Sequence, residues 1–170
     1  MSETLLMIKK NLIKNFFIIF LIFLLDRVTK LYVIFLNEKN LEPNLFNTKF
    51  LNIYLIWNEG IAFGLFSSIE DSIYNFLTFL ILVLIIILIF MIIRSEGLKK
   101  YSLLLIIGGA LGNIYDRVFY AAVPDFIDFH IGNFHWFIFN VADIFITLGV
   151  ILMIIIEITG NNKNKKHEIF

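Results

Sequence analysis

The chain has no cysteine, which removes disulfides, thiolate catalysis and cysteine-ligated metal sites together. Charge is sparse and balanced: 14 basic and 14 acidic side chains in 170 residues, a formal net charge of +0. Such a balance leaves no basic footprint for a nucleic-acid partner. No internal repeat is visible, which counts against a carrier built from inverted halves. Also absent are the HExxH of zinc peptidases, the GxSxG of serine hydrolases and the GxGD of presenilin-type proteases. His130, His135 and His167 show no metal-ligand spacing, so no metal site is read from them.

What the chain does have is apolar length. It is 59% hydrophobic with mean hydropathy +0.87, far too apolar for a soluble globule and short enough for one domain, residues 1–170. A span needs about 20 apolar residues to cross about 30 Å of hydrocarbon. Four stretches qualify, near residues 12–36, 73–93, 101–115 and 137–158. Lys9, Lys10 and Lys14 precede the first; Arg94, Lys99 and Lys100 join the second to the third; Lys163, Lys165 and Lys166 follow the fourth. Nine of the 14 basic residues thus share one side, and the positive-inside rule makes that side, with both termini, cytoplasmic. A basic N-terminus before an apolar run also opens signal peptides, but no small-residue cleavage site follows, so a retained anchor is expected.

The outer loops are then about 37–72 and 116–136. In the first, residues 49–57 are rich in β-branched and aromatic side chains, with a turn signal at Asn58-Glu59-Gly60, which predicts a short strand pair. Tyr54, Trp57 and Trp136 suit the headgroup level. The expected architecture is an all-α membrane protein: four transmembrane helices, a small extracytoplasmic β-cradle, and a second outer loop or short helix over a site.

Asp26, Asp116, Asp125 and Asp143 lie within or beside the apolar stretches, where a carboxylate costs a few kcal/mol and tends to persist for chemistry or ion handling. At about 1.5 Å per residue, Asp26 and Asn113 lie roughly 18 to 20 Å above the basic side, and Asp143 roughly 10 Å below the outer one. All three fall in the outer half of the bilayer. Asp26, Thr29 and Lys30 share a helix face, so Asp26 and Lys30 can form an ion pair that orients a loop or serves chemistry directly. Asn58-Glu59-Gly60-Ile61-Ala62-Phe63 reads first as a turn. In Gly108-Gly109-Ala110-Leu111-Gly112-Asn113-Ile114-Tyr115-Asp116-Arg117, Gly108 and Gly112 make a small face for close helix approach, and Asp116-Arg117 mark the outer boundary. Asp125 and Asp143 have no local cation. Brought together they would share one proton, as aspartic proteolysis requires; a proton relay or a structural hydrogen bond remains open on the residues alone.

Five blocks together resemble the lipoprotein signal peptidase family, signal peptidase II. They are Asp26-Arg-Val-Thr29-Lys30, Asn58-Glu-Gly60-Ile-Ala62-Phe63, the Gly108–Arg117 block, Val123-Pro-Asp125-Phe126 and Phe139-Asn140-Val-Ala142-Asp143. The departure is Arg27, where the family usually has Gln. The resemblance implies a four-helix bacterial inner-membrane aspartic endopeptidase with Asp125 and Asp143 as its dyad, opening toward the outer leaflet. It implies diacylglyceryl-prolipoprotein substrates cut just before the lipidated cysteine, membrane lipids as surroundings, no metal or organic cofactor, and inhibition by globomycin-like cyclic peptides. Asn58, Gly60, Asn113, Arg117 and Asn140 would orient substrate or support the dyad, and Asp26, Lys30 and Asp116 would be structural. A small proton-coupled transporter using the same carboxylates is the competing reading, and a catalytically silent assembly factor a third.

Overall fold

The computed structural model describes residues 3–39, 45–60 and 71–167. In chain order these form α1 (Glu3–Lys39), β1 (Phe46–Asn47), β2 (Leu51–Asn58), α2 (Asp71–Ile93), α3 (Gly97–Tyr120), β3 (Val123–Ile131), β4 (Phe134–Phe139) and α4 (Val141–His167). Among the described residues, three helices carry stretches long and apolar enough to cross a membrane: Tyr74–Ile93, Gly97–Tyr120 and Val141–Gly160. The helix α1 is longer still, at 37 residues, but its apolar run is interrupted by Asp26, Arg27 and Lys30. These charges do not break it, because a helix satisfies its backbone internally and the three side chains are buried against the neighbouring helix.

The helix α3 is the centre of the bundle, packed against α1, α2 and α4. It lies parallel to α1 in a constant register. Lys14 donates to the Tyr101 hydroxyl, Gly108 faces Ile22, Gly112 faces Asp26, and Lys30 reaches Asp116. Each pair is 86 or 87 residues apart, so two straight helices touch rung by rung. Gly108 and Gly112 are the small face expected from sequence: a Cβ on Gly108 would meet Ile22 at 2.8 Å. The helix α4 runs antiparallel to α3. Gly109 abuts Ala142 and Ile146, and Gly149 abuts Ser102 and Ile106. Outward-facing side chains such as Phe79, Phe90, Ile93, Ile154 and Ile155 are more than half exposed, the inverse of a soluble bundle and the arrangement a lipid solvent selects.

Four antiparallel strands in the order β1-β2-β3-β4 cap this bundle. A first hairpin turns around Thr48, whose amide and hydroxyl bond to Leu51, while the segment that a turn at Asn58-Glu59-Gly60 would lead into lies outside the described residues. The sheet corrects two expectations. The second loop is neither irregular nor helical but a β-hairpin turning at Gly132 (φ +59°). Residues 137–139 lie in β4 rather than in the fourth helix, which begins at Val141; an apolar run that crosses a strand-to-helix junction has no periodicity to mark the change. The helix α3 also continues to Tyr120, past the expected end near residue 115, and stops where Ala121 enters the left-handed region at φ 54°.

Candidate active site

The site begins with how α4 starts. Asn140, between β4 and α4, accepts from the Asp143 amide on Oδ1 at 3.2 Å, while its own amide donates to Asp143 Oδ2 at 3.1 Å. This is a reciprocal capping box with Asn as the cap and Asp as the third residue. The intervening Ala142 amide donates to Asp26 Oδ1 at 3.0 Å. At this helix start the Asn140 and Ala142 amides therefore meet carboxylates, which the helix N-terminus favours, and the Asp143 amide meets a carboxamide oxygen.

The remaining arm of Asn140 points at the other aspartate: Nδ2 donates to Asp125 Oδ1 at 2.7 Å. Asp125 lies on β3 opposite Ile56. Two residues along β2 from Ile56, and so on the same face, Asn58 donates through Nδ2 to Asp125 Oδ2 at 2.8 Å. Neither amide can flip at no cost, because Asn58 Oδ1 accepts from the Gly60 amide at 2.9 Å and Asn140 Oδ1 from Asp143. Arg117 closes the turn by donating to the Gly60 carbonyl at 2.8 Å. Asp125 is 4% exposed. Burial, and after it the negative charge of Asp143, push its carboxyl up to about 6, against the opposing pull of the Asn58 and Asn140 amides.

Behind Asp143 lies a buried ionic cluster. Lys30, fully buried, spends its three protons on Asp26 Oδ2 (2.8 Å), Asn113 Oδ1 (2.8 Å) and Asp116 Oδ2 (2.7 Å). Asn113, its carbonyl fixed by Lys30, donates through Nδ2 to Asp143 Oδ1 at 2.8 Å. Arg27 makes ion contact with Asp116 and lies over the Tyr115 ring at 4.8 Å. Two cations thus meet two carboxylates, the condition under which buried charge is tolerable. Arg27 Nε also lies 3.9 Å from the carboxylate of its neighbour Asp26; the contact with Asp116 comes from the parallel register with α3 and was not readable in the sequence. Thr29 turns its hydroxyl to its own helix, at the Leu25 and Asp26 carbonyls.

Both aspartates line one cavity of about 320 Å³. Asn58, Asn113, Arg117 and Asn140 edge it with polar groups, and Ile81, Ala110, Phe137 and Ile146 form an apolar wall. The structure therefore gathers Asp125, Asp143, Asn58, Asn113, Arg117 and Asn140 at one site, with Gly60 held just behind it and Asp26, Lys30 and Asp116 as its backing. Ile61, Ala62 and Phe63 of the second motif lie outside the described residues. Tyr54 is not a free interfacial anchor, since its phenol hydrogen-bonds Asp128.

Comparison with known proteins gives the family. The family described as Signal peptidase (SPase) II matches residues 18–159. A lipoprotein signal peptidase of Pelagibacter ubique is 53% identical over 154 residues, covering 91% of this chain and 93% of that one. One from Francisella tularensis is 40% identical over 161 residues, covering 91% and 99%. One from Anaplasma phagocytophilum is 38% identical over 134 residues, covering 79% and 85%. A solved bacterial membrane enzyme superposes with a TM-score of 0.72 at 33% identity, over 89% of this chain and 91% of its own. None of these supports a transporter. With its several apolar helices, this multi-pass membrane protein belongs to the signal peptidase II family of peptidases.

Proposed function

We propose that the chain removes signal peptides from diacylglyceryl-modified prolipoproteins by aspartic hydrolysis, with Asp125 and Asp143 as the dyad. One observation carries the reading: a strand aspartate and a helix-cap aspartate, neither in an ion pair among the described residues, are joined through Asn140 and open on one cavity. In the active state the pair holds one proton. The ionised member takes a proton from a water, whose oxygen attacks the scissile carbonyl carbon; the protonated member donates to the carbonyl oxygen. Collapse of the tetrahedral diol returns the proton to the departing amine. Asn58, Asn113 and Asn140 hold the two carboxyls in register, and Arg117 fixes the Gly60 turn beside them.

The same reading holds α1 to be a fourth span, since it runs parallel to α3 from Lys14 to Lys30. It takes both termini as cytoplasmic and the sheet as extracytoplasmic, on the bacterial inner membrane. That orientation follows the nine basic residues gathered on one side. A substrate anchored by acyl chains then reaches the cavity laterally from the outer leaflet, with its acyl chains along the apolar wall. Globomycin-like cyclic peptides would occupy the same cavity. Incubating purified protein with a diacylglyceryl-cysteine peptide tests this: mass spectrometry should show one cut, immediately before the modified cysteine. Cleavage elsewhere, or none of the lipidated peptide while an unlipidated one is cut, would overturn the substrate assignment.

A further inference from the structure

The face of β3 turned away from Asp125 carries a second cluster that the dyad does not use. Asp128 is three residues beyond Asp125 on the strand and so projects to the opposite side. A register shift in β2 between Ile53 and Ile56 lets Asn52, paired with Asp128, serve that side while Asn58 serves the other. Asp128 is fully buried. It accepts from Asn52 Nδ2 at 3.0 Å and from the Tyr54 phenol, both neutral donors.

Two imidazoles lie beside the same carboxylate. A second shift, between the Asp128 and His130 pairings, sets His130 directly opposite His135 across the hairpin. Their rings stack with centroids 5.0 Å apart. His135 Nδ1 lies 2.9 and 2.8 Å from the two oxygens of Asp128. His130 Nδ1 is buried with no hydrogen-bond partner among the described residues. One ligand atom from each of Asp128, His130 and His135 falls within 4.8 Å of the others. Sequence spacing hid this set, because strand pairing and not a short motif brings the two histidines together.

We propose that Asp128, His130 and His135 form a binding site for a divalent transition-metal ion, Zn²⁺ or Cu²⁺, separate from the proteolytic centre. Two imidazoles and one carboxylate suit borderline cations; Ca²⁺ and Mg²⁺, which demand six or more oxygens, do not find them here. One cation would answer both anomalies at once, supplying positive charge to a fully buried carboxylate and a partner to an orphaned nitrogen. Asn52 and Tyr54 already hold the carboxylate, the outer-shell support that metal sites use. His135, with its side chain 51% exposed, gives the ion a way in and leaves a coordination position for water. A ligand separation of up to 4.8 Å means that the hairpin tightens on binding, since Zn–N and Zn–O bonds of about 2.0–2.2 Å bring ligand atoms closer together.

The test uses the full-length, untagged protein in detergent, stripped with chelator and titrated with Zn²⁺ by calorimetry. One ion should bind per chain. Binding should weaken at least tenfold in His130→Gln/His135→Gln, and should be unchanged in His167→Ala and in Asp125→Asn/Asp143→Asn, which remove the other candidate ligands. X-ray absorption on the bound Zn²⁺ should show two imidazole nitrogens. The stripped His130→Gln/His135→Gln protein must keep the wild-type thermal midpoint, which separates lost ligation from lost folding. Calcium should neither bind nor compete. No measurable Zn²⁺ binding, equal binding by the histidine double variant, or loss of binding on changing Asp125 and Asp143 would each overturn the proposal.

Discussion

Replacing Gly112 with alanine tests whether the ionic cluster behind the dyad depends on close approach of α1 and α3. A Cβ at Gly112 would fall inside contact distance of Asp26 Oδ2 and only 2.9 Å from its Cγ, so the carboxyl must retreat by roughly 1 Å to reach ordinary contact. That carboxyl cannot move freely. Its Oδ2 accepts from Lys30 at 2.8 Å and its Oδ1 from the Ala142 amide at 3.0 Å. Overpacking typically costs about 1–3 kcal/mol, and loosening a hydrogen bond between charged groups about 1.5–3 kcal/mol more. The expected loss is therefore about 2.5–6 kcal/mol, with activity falling as well, because Lys30 also orients Asn113 toward Asp143. The matched control is Gly160→Ala, where nothing lies within 4 Å and alanine should be neutral or stabilise by up to about 1 kcal/mol. Thermal unfolding in detergent and cleavage of a lipidated peptide give the two readouts. An unchanged midpoint and rate for Gly112→Ala would refute the rung-by-rung packing.

Lys30→Met should cost about 3–5 kcal/mol by leaving Asp26 and Asp116 with Arg27 as their remaining cation, and Asp26→Asn/Lys30→Met should cost less than Lys30→Met, by thermal unfolding. Asp125 titrates near 6 when folded against 3.8 when unperturbed, so between those values the folded chain keeps a proton that the unfolded chain has lost. Its contribution to stability therefore falls as pH rises from about 4 to about 6, by about 3 kcal/mol at most, and is flat above; the difference between wild type and Asp125→Asn across that range measures it. Cysteines at Ile131 and Leu98, 70% and 64% exposed, should react with impermeant maleimide from outside in intact spheroplasts and only after permeabilisation, respectively. The reverse pattern would invert the orientation.

The helices were legible because apolar length and basic flanks report membrane segments directly, and the Gly108/Gly112 face was legible because small residues four apart have one main use in a helix bundle. The sheet was less so. In Phe134–Phe139 every residue but His135 is aromatic or Ile, and with no periodicity to mark the strand-to-helix junction its last three residues read as the start of the fourth helix and the first three as loop. The polar site residues stood out individually, since a carboxylate or carboxamide in an apolar stretch is costly wherever it sits. Their pairings were not readable: Asn140 as a helix cap bridging to a strand, Asp26 serving the first turn of α4, and Arg27 meeting Asp116 all depend on how distant segments register. The Asp128, His130 and His135 cluster was missed for the same reason.

The central claim is that Asp125 and Asp143 perform the hydrolysis while their neighbours hold them in place. The most direct measurement is the turnover of a diacylglyceryl-cysteine peptide by purified Asp125→Asn and Asp143→Asn proteins, alongside their thermal midpoints. The account predicts a rate lower by at least about 10²-fold for each, as expected when a group transferring the proton is removed, in proteins that still fold. Turnover within a few-fold of wild type in either variant, with the protein folded, would contradict it.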